Sequence, residues 1–215
     1  MLTKPKVFYS KEVHENHPLF QQDWDCVTAS LIHCTPLTFT PPKDPYDWIF
    51  FSSANGYRFG KSLIKPTSKI AAVGVQTAKS MELDNINFIG SGDIDQVSEE
   101  FNALTKGQKV LFVHGNHSIK SVFRNHESSS KNEVEVYSTS LLPKEIPLCD
   151  LYFFTSPSNV RSFMEANELP NDAKVIAMGK TTQAFLLTQG ITASIPSSFQ
   201  ITHQIEAIKS QLQGY

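Results

Sequence analysis

Two segments of this chain occur twice, in the same order and at nearly the same separation. Asp47-Trp-Ile-Phe-Phe-Ser-Ser-Ala-Asn55 corresponds to Asp150-Leu-Tyr-Phe-Phe-Thr-Ser-Pro-Ser158, 103 positions later. Lys69-Ile-Ala-Ala-Val-Gly-Val-Gln-Thr77 corresponds to Lys174-Val-Ile-Ala-Met-Gly-Lys-Thr-Thr182, 105 positions later. Two matches at nearly one offset indicate that the 215 residues form two similar halves rather than one large domain.

Each repeated segment has the pattern of a strand, a turn and a helix. Residues 49–51 and 151–154 are short apolar runs, which predict strands buried on both faces, as in a parallel sheet. Hydroxyl residues follow each run, and such residues cap helix N-termini by accepting a backbone N–H bond. In the second segment Gly74 and Gly179 follow the strand and predict a tight turn into a helix. One such junction alone is typical of any α/β fold.

The rest of the chain alternates strand and helix patterns, which predicts a parallel α/β sheet in each half. Strands are expected at 6–9, 26–33, 48–51, 70–73, 87–89, 109–113, 133–138, 151–154, 175–178 and 192–195. Helices are expected within 17–22, 57–63, 95–104, 118–125, 160–167 and 201–212, with a polar loop at 127–132.

The order of these elements predicts a discontinuous domain. Only two strands precede the proline-rich stretch 35–45, too few for a stable sheet. The simplest arrangement packs residues 1–37 with 142–215 as one five-stranded domain and inserts 42–136 as the other. Residues 38–41 and 137–141 are then two linker segments that cross between the domains, beside prolines that favour extended backbone.

Charge, cysteine content and hydropathy exclude several classes of function. The net charge of −2 gives no sign of the excess of basic residues that nucleic-acid binding needs. No apolar run reaches the roughly 20 residues needed to span a bilayer. Cys26, Cys34 and Cys149 follow no metal-binding or disulfide spacing, which predicts reduced thiols. The first nine residues lack the apolar core of a signal peptide. We therefore expect a cytoplasmic protein with no nucleic-acid or membrane partner.

Three kinds of functional motif were considered, a phosphate-binding loop, a metal site and a serine hydrolase motif, and the sequence meets the requirements of none of them. The glycines of Gly56-Tyr-Arg-Phe-Gly60-Lys61-Ser62 are separated by three bulky residues, whereas a phosphate-binding loop needs four. His114 and His117 have no third ligand at a useful spacing, so no metal is expected. The chain has no Gly-x-Ser-x-Gly, which disfavours a serine hydrolase.

Taken together, the four turns resemble those of the uroporphyrinogen-III synthase family. They stand here as Phe51-Ser52-Ser53-Ala-Asn55, Val73-Gly74-Val-Gln-Thr77-Ala78, Phe154-Thr155-Ser156-Pro157-Ser158 and Met178-Gly179-Lys-Thr181-Thr182. Two departures concern arginines of the family. Val7-Phe8-Tyr9-Ser10-Lys11 replaces an Arg-Pro-like pair, and His114-Gly115-Asn116-His117 replaces an arginine-bearing turn.

The resemblance implies a fold and a reaction. The fold is two similar α/β domains, each a five-stranded parallel sheet flanked by helices (flavodoxin-like), with a cleft between them. The implied reaction closes the linear tetrapyrrole hydroxymethylbilane to uroporphyrinogen III, with loss of water and inversion of the last pyrrole ring. It needs neither metal nor redox cofactor. We expect a monomer whose partner is this polycarboxylate substrate.

Candidate substrate-binding residues lie at the carboxyl ends of the strands, where open parallel sheets bind ligands. Helix N-termini there bind carboxylates through backbone N–H groups, without basic side chains. The candidates are Ser52, Ser53, Asn55, Gly74, Thr77, Gly115, Asn116, Ser156, Ser158, Asn159, Gly179, Thr181 and Thr182.

The candidate catalytic residue is Tyr137. A tyrosine occupies the returning cross-domain strand of the family, and Val136-Tyr137-Ser138 stands in that place here. Tyrosine side chains ordinarily stay protonated at neutral pH and can donate a proton to a leaving hydroxyl. The other interpretation is a half-buried strand aromatic. Two alternative functions also remain at this point: a non-enzymatic two-domain protein that binds small anions, and an inactive homologue.

Overall fold

The computed structural model describes residues 4–43, 45–118, 120–127 and 130–213. The chain divides into two compact units. The first unit is Met1–His33 with Ser140–Tyr215, and the second unit is Cys34–Thr139. Each unit is an α/β structure, which confirms the predicted fold class.

Ten strands and seven α-helices are named here in chain order. The strands are β1 Lys6–Tyr9, β2 Asp25–Thr28, β3 Ile32–Pro36, β4 Trp48–Phe51, β5 Lys69–Ala72, β6 Phe88–Ile89, β7 Val110–Gly115, β8 Lys131–Leu141, β9 Leu151–Phe154 and β10 Lys174–Ala177. The helices are α1 Ala54–Gly60, α2 Val75–Met81, α3 Ile94–Leu104, α4 Ser121–Asn125, α5 Pro157–Met164, α6 Lys180–Thr188 and α7 Ile201–Leu212. Short 3₁₀ turns cover Pro18–Gln21 and Lys61–Leu63.

The sheet of the first unit is parallel throughout, in the order β10-β9-β1-β2. The prediction of five strands was wrong in detail, because residues 192–195 contribute only one bridge. Ser194 pairs with Ile176 in parallel, accepting from the Ala177 N–H at 2.8 Å and donating to the Val175 carbonyl at 3.0 Å. We number the strands of this unit in chain order, with β1, β2, β9 and β10 as 1 to 4 and the bridge at Ser194 as 5. Their spatial order is then 2-1-3-4-5, which is the flavodoxin order.

The sheet of the second unit has six strands rather than five, in the order β3-β8-β7-β4-β5-β6. The additional strand arises where the sequence predicted one strand over 26–33. That run breaks at Leu31, whose N–H donates to the Asn159 Oδ1 at 3.0 Å, and the chain starts a new strand at Ile32. The edge strand β3 makes this sheet mixed. Residues 137–141, expected as a linker, are the end of β8.

The two sheets have the same spatial arrangement although the chain enters them at different strands. From β6 to β8 the second sheet reads β6-β5-β4-β7-β8, and the first reads Ser194-β10-β9-β1-β2. The repeated sequence segments are therefore equivalent: β4 and β9 are the central strands, and β5 and β10 lie beside them. This arrangement explains why the sequence matches keep one offset.

An aspartate fixes the start of each central strand. The Asp150 Oδ2 accepts the Lys6 N–H at 2.6 Å, and the Asp47 Oδ2 accepts the Lys109 N–H at 2.7 Å. On the other side of the central strand, the Asp150 carbonyl accepts the Lys174 N–H at 3.2 Å. The Asp47 carbonyl likewise accepts the Lys69 N–H at 2.8 Å. Each aspartate therefore links three adjacent strands at their amino ends.

The helices that follow the central strands begin three residues earlier than predicted. α1 starts at Ala54 and α5 at Pro157, because Ser53 and Ser156 are their N-caps. The serine Oγ accepts the N–H three residues ahead, at 3.0 Å in α1 and 3.2 Å in α5. The amphipathic helix α7 has the predicted bounds.

Each sheet is buried on both faces by helices. In the second unit Ile49 and Phe51 pack toward α1 and α2, whereas Phe50 and Phe112 pack toward α3 and α4. In the first unit Phe8, Tyr152, Phe154 and Phe163 pack on one face, and Tyr9, Phe153, Leu19 and Ile208 pack on the other. Burying one such side chain contributes about 1.5–3 kcal/mol, so the sheets are the main source of stability.

In the described ranges, none of the helices combines the length and apolar character needed to cross a bilayer.

The stability of the second unit should depend on pH through His126. This imidazole is 4% exposed between the rings of Phe101 and Phe112, and its Nε2 has no hydrogen-bond partner among the described residues. Burial, and then the nearby Lys131 ammonium, lowers the pKa of His126. As pH falls below about 6.5, the unfolded state takes up a proton that the folded state resists, so the free energy of unfolding should fall.

Urea denaturation of wild type and of His126→Phe, at pH 7.5 and pH 5.5, measures this contribution. The loss of stability at pH 5.5 should be smaller in the variant, because Phe has no proton to take up. His14→Phe, the same change at an exposed position, should behave as wild type. An equal pH dependence in all three proteins would contradict the assignment to His126.

Candidate functional site

Each sheet has one point at which the strand order reverses, and open α/β sheets bind ligands at such points. In the second unit this point lies between β4 and β7. The helix after β4 packs on one face of the sheet and the helix after β7 packs on the other. A crevice therefore opens at the carboxyl ends of β4 and β7. In the first unit the equivalent point lies between β9 and β1.

The crevice of the second unit brings Ser53 and Tyr137 together. The Ser53 Oγ lies 3.2 Å from the Tyr137 Oη while it accepts the Gly56 N–H at 3.0 Å. Because the Ser53 oxygen already accepts the cap bond, the phenol can donate to its remaining lone pair or to a ligand. The predicted cap residue and the predicted catalytic residue are thus neighbours.

An irregularity in β8 positions the Tyr137 side chain. The register against β7 shifts between His114 and Gly115, so that Val136 is an extra residue on β8. A regular strand would place Val136 and Tyr137 on opposite faces. With the shift, both are buried in the same cluster as Val134. Bulges often redirect a side chain next to a functional site in this way.

Gly115 provides the surface on which the Tyr137 ring rests. A Cβ at Gly115 would lie 2.3–2.8 Å from three ring carbons of Tyr137, far inside van der Waals contact. The Phe59 ring, 5.7 Å from the Tyr137 ring between centroids, packs against it as well. Glycine is therefore required here by the close approach of the ring.

Asn116, predicted to bind substrate, has its side chain engaged by β8. Its Nδ2 donates to the Ser138 Oγ and its Oδ1 accepts the Thr139 N–H, both at 3.0 Å. Its backbone N–H donates to the Tyr137 carbonyl at 3.0 Å. In this structure Asn116 therefore ties the turn after β7 to the strand that carries Tyr137.

The other candidates of the second unit lie beside these residues or at the next strand. Ser52 donates to the Val113 carbonyl at 3.2 Å, and Asn55 donates to the Cys34 Sγ at 3.3 Å. Gly74 is the extended N-cap residue of α2, with a φ of −170°, and Thr77 is buried in the first turn of that helix. A Cβ at Gly74 would lie 3.2 Å from the Gly92 Cα.

In the first unit the polar groups at the equivalent point are hydrogen-bonded to one another. Ser156 caps α5, and Asn159 donates to the Ser156 Oγ at 3.0 Å and to the Thr155 Oγ1 at 3.2 Å. The Asn159 Oδ1 accepts the Leu31 N–H, so this amide is fully engaged and 3% exposed. Thr155 is bonded in turn to Ser10. Ser158 is half-buried in the first turn of α5.

The turn into α6 resembles the turn into α2. Gly179 is an extended N-cap residue with a φ of −166°, and the serine-type cap bond is missing at both glycines. Thr181 is exposed in the first turn, whereas Thr182 is 4% exposed. The exposed ring of Phe199 lies against Gly179, where a Cβ would come within 3.2 Å of it.

A charged cluster at the end of β7 was missed by the sequence analysis, which considered His114 as a metal ligand and as part of a turn that lacks an arginine. The Nε2 of His114 lies 2.8 Å from the Glu133 Oε2, and the Lys120 ammonium lies 3.0 Å from both Glu133 and Glu135. Burial alone would raise the pKa of Glu133, but hydrogen bonds from Lys120 and His114 lower it overall. For Lys120, burial is outweighed by the bonds to Glu133 and Glu135, so its pKa is raised. The only sequence signal was alternation of Glu133 and Glu135 with valines along β8.

Across the part of the chain that the structure describes, histidine, cysteine and carboxylate side chains form no group of three or more suited to hold a metal ion.

Comparisons with known proteins agree on one family. The family model described as uroporphyrinogen-III synthase HemD matches residues 17–206. A curated protein of Archaeoglobus fulgidus named "Putative uroporphyrinogen-III synthase" is 25% identical over 206 residues, covering 89% of this chain and 90% of its own length.

Two solved structures share the fold over nearly the whole chain. The uroporphyrinogen-III synthetase of Helicobacter pylori superimposes with a TM-score of 0.68 at 18% identity, covering 97% of this chain and 99% of that one. A mutant uroporphyrinogen III synthase of Thermus thermophilus gives a TM-score of 0.60 at 13% identity, covering 98% of this chain and 100% of that one.

Fold and site together define an α/β protein of two like-built units, with polar turns at the carboxyl ends of its parallel strands. The family model spans most of that structure. The chain belongs to the uroporphyrinogen-III synthase family.

Replacing Gly115 with Ala should displace the Tyr137 ring, because the new methyl group overlaps three ring carbons. We expect a loss of about 1–3 kcal/mol in the free energy of unfolding, as for other overpacked sites. The measurement is a double-mutant cycle by urea denaturation with Gly115→Ala, Tyr137→Ala and the pair. Once the ring is gone the methyl group has room, so Gly115→Ala should cost much less in the Tyr137→Ala background. Equal costs in both backgrounds would show that the ring does not rest on Gly115.

Proposed function

We propose that this protein is a uroporphyrinogen-III synthase, which closes hydroxymethylbilane to uroporphyrinogen III with loss of water and inversion of the last pyrrole ring. The observation that carries the proposal is the family match over residues 17–206. The reaction is that of a cyclising lyase, and it needs neither metal nor redox cofactor. The alternatives, a non-enzymatic anion-binding protein and an inactive homologue, are not favoured by this match.

We assign substrate binding to the turns at the carboxyl ends of the strands. The bilane carries eight carboxylates, and first-turn N–H groups of a helix attract such groups. Thr181, exposed at the start of α6, and Ser158, half-buried at the start of α5, have side chains available for such contacts. Gly74 and Gly179 lead extended backbone into α2 and α6, where a Cβ would approach Gly92 or Phe199.

Several other proposed binding residues contribute in a different way. Both the oxygen and the nitrogen of the Asn116 and Asn159 side chains are hydrogen-bonded inside the fold, so their part is to hold the turns in shape. Ser53 and Ser156 fix the first turns of their helices through the cap bonds. The remaining candidates, Ser52, Asn55, Thr77, Gly115 and Thr182, line or support these turns.

Tyr137 is proposed as the group that assists departure of the hydroxyl. Its Oη–H donates a proton to the leaving oxygen, the C–O bond breaks, and water leaves. Ser53, 3.2 Å away, orients the phenol before substrate arrives. Positioning the reactive ends of the bilane contributes further, since correct orientation can lower a barrier by several kcal/mol.

We further propose a cytoplasmic monomer. Cys26, Cys34 and Cys149 are free thiols, as expected in a reducing compartment.

The wild-type protein should convert freshly generated hydroxymethylbilane mainly to the type III isomer, because the enzyme inverts the last ring before closure. The isomers are separated by liquid chromatography after oxidation to porphyrins. Spontaneous closure without protein, which gives type I, is the control. If only the type I isomer forms in the presence of stoichiometric protein, the enzymatic function is refuted. Binding of the product without turnover would identify an anion-binding protein.

Tyr137→Phe should lower kcat by roughly 10²-fold, the lower end of general-acid contributions, because it removes the proton donor but keeps the ring. Steady-state kinetics on hydroxymethylbilane measures the effect, and thermal denaturation checks that the fold is intact. Tyr46→Phe is a matched control, since it removes a phenol bonded to Asn132 instead. A fully active Tyr137→Phe would leave Tyr137 a structural residue.

A further inference from the structure

His114 is a buried imidazole for which the proposed reaction gives no role. It is 3% exposed at the end of β7, next to Gly115. Its Nδ1 lies 3.0 Å from the Gly115 carbonyl oxygen, and its Nε2 lies 2.8 Å from the Glu133 Oε2. Both ring nitrogens therefore face oxygen atoms.

These oxygens determine the protons on the ring. A backbone carbonyl only accepts hydrogen bonds, so Nδ1 must carry a proton. The Glu133 carboxylate also accepts from the Lys120 ammonium, and the bonds from Lys120 and His114 lower its pKa. Glu133 is thus ionised and accepts from Nε2. His114 thus links the Glu133 carboxylate to the Gly115 carbonyl through its two ring nitrogens.

The charged groups in contact around His114 are Glu133 and Glu135 of β8 and Lys120, which precedes α4.

The bond from His114 fixes the residue on which Tyr137 rests. The Gly115 carbonyl accepts both the His114 Nδ1–H and the Ser118 N–H, each at 3.0 Å, which uses both of its lone pairs. The Gly115 N–H donates to the Ser118 Oγ at 3.0 Å. The peptide groups on both sides of Gly115 are therefore held, and the Tyr137 ring packs against its Cα.

We infer that His114 is a positioning residue, which holds the Gly115 carbonyl and so keeps Tyr137 in place for the reaction. As far as turnover is concerned, the inference rests on the proposed function. Nothing in it requires His114 to touch the substrate.

Replacing the imidazole should release the Gly115 carbonyl, because the bond from Nδ1 is lost. In Glu133→Gln the amide can donate to Nε2 instead of accepting from it. The Nδ1–H then stays on Gly115, so this variant should still hold Tyr137.

The first experiment measures the protons directly by ¹⁵N NMR of histidine-labelled protein. The Nδ1 of His114 should be protonated at neutral pH in wild type and in Glu133→Gln. His114→Gln should shift the Tyr137 ring resonances, whereas Glu133→Gln should leave them in place. Because neither readout requires turnover, this arm still stands if the proposed function fails.

The second experiment compares kcat and KM on hydroxymethylbilane at neutral pH. His114→Gln should lower kcat by roughly tenfold to a hundredfold with KM little changed, as for misplacement of a reacting group. Glu133→Gln, whose amide can still bond to Nε2, should lower kcat much less. Glu135→Gln is the matched control. It removes a carboxylate from Lys120 but not from His114, and should keep the wild-type kcat.

An Nδ1 of His114 without a proton in wild type at neutral pH would overturn the inference, as would unshifted Tyr137 resonances in His114→Gln. Given an active wild type, a wild-type kcat in His114→Gln would overturn it too. If His114→Gln is too unstable to assay, the Nδ1 proton in wild type and in Glu133→Gln decides.

Discussion

A carboxylate at the start of each central strand organises the sheet around it. Asp47 and Asp150 accept the N–H of the residue that leads into the neighbouring strand, at 2.7 and 2.6 Å. Since a slip of one residue would turn every strand side chain to the other face, this bond helps to keep the fully buried runs Trp48–Phe51 and Leu151–Phe154 in register. The positions of the turns at the opposite, carboxyl edge follow from that register.

The two units use this common frame differently at the point where the strand order reverses. In the first unit, Thr155, Ser156 and Asn159 bond to one another and to Ser10, so the polar groups satisfy each other. In the second unit the equivalent place holds Ser53 and Tyr137, and their oxygens keep hydrogen-bonding capacity. This difference supports the assignment of the chemistry to Tyr137.

Tyr137 depends on three features that lie in different parts of the sequence. The extra residue Val136 turns its side chain, the missing side chain of Gly115 leaves room for its ring, and Ser53 meets its hydroxyl. His114 joins this set through the Gly115 carbonyl. Hydrogen bonds and close packing in a low-dielectric interior hold their members in place, which suits a group that must be in position before the substrate arrives.

The sequence by itself determined the α/β class, the duplicated halves, most helices and strands, and the family to which the chain belongs. It could do so because strand burial, capping serines and turn glycines are local patterns with a fixed spacing. It also singled out Ser53 and Tyr137, but their contact joins residues 84 positions apart. Only the tertiary structure showed the register shift at Val136, the edge strand from Ile32, the inward use of Asn116 and Asn159, and the link from Glu133 through His114 to Gly115. Those features arise from pairing between distant strands, and no local sequence pattern encodes which backbone groups will meet.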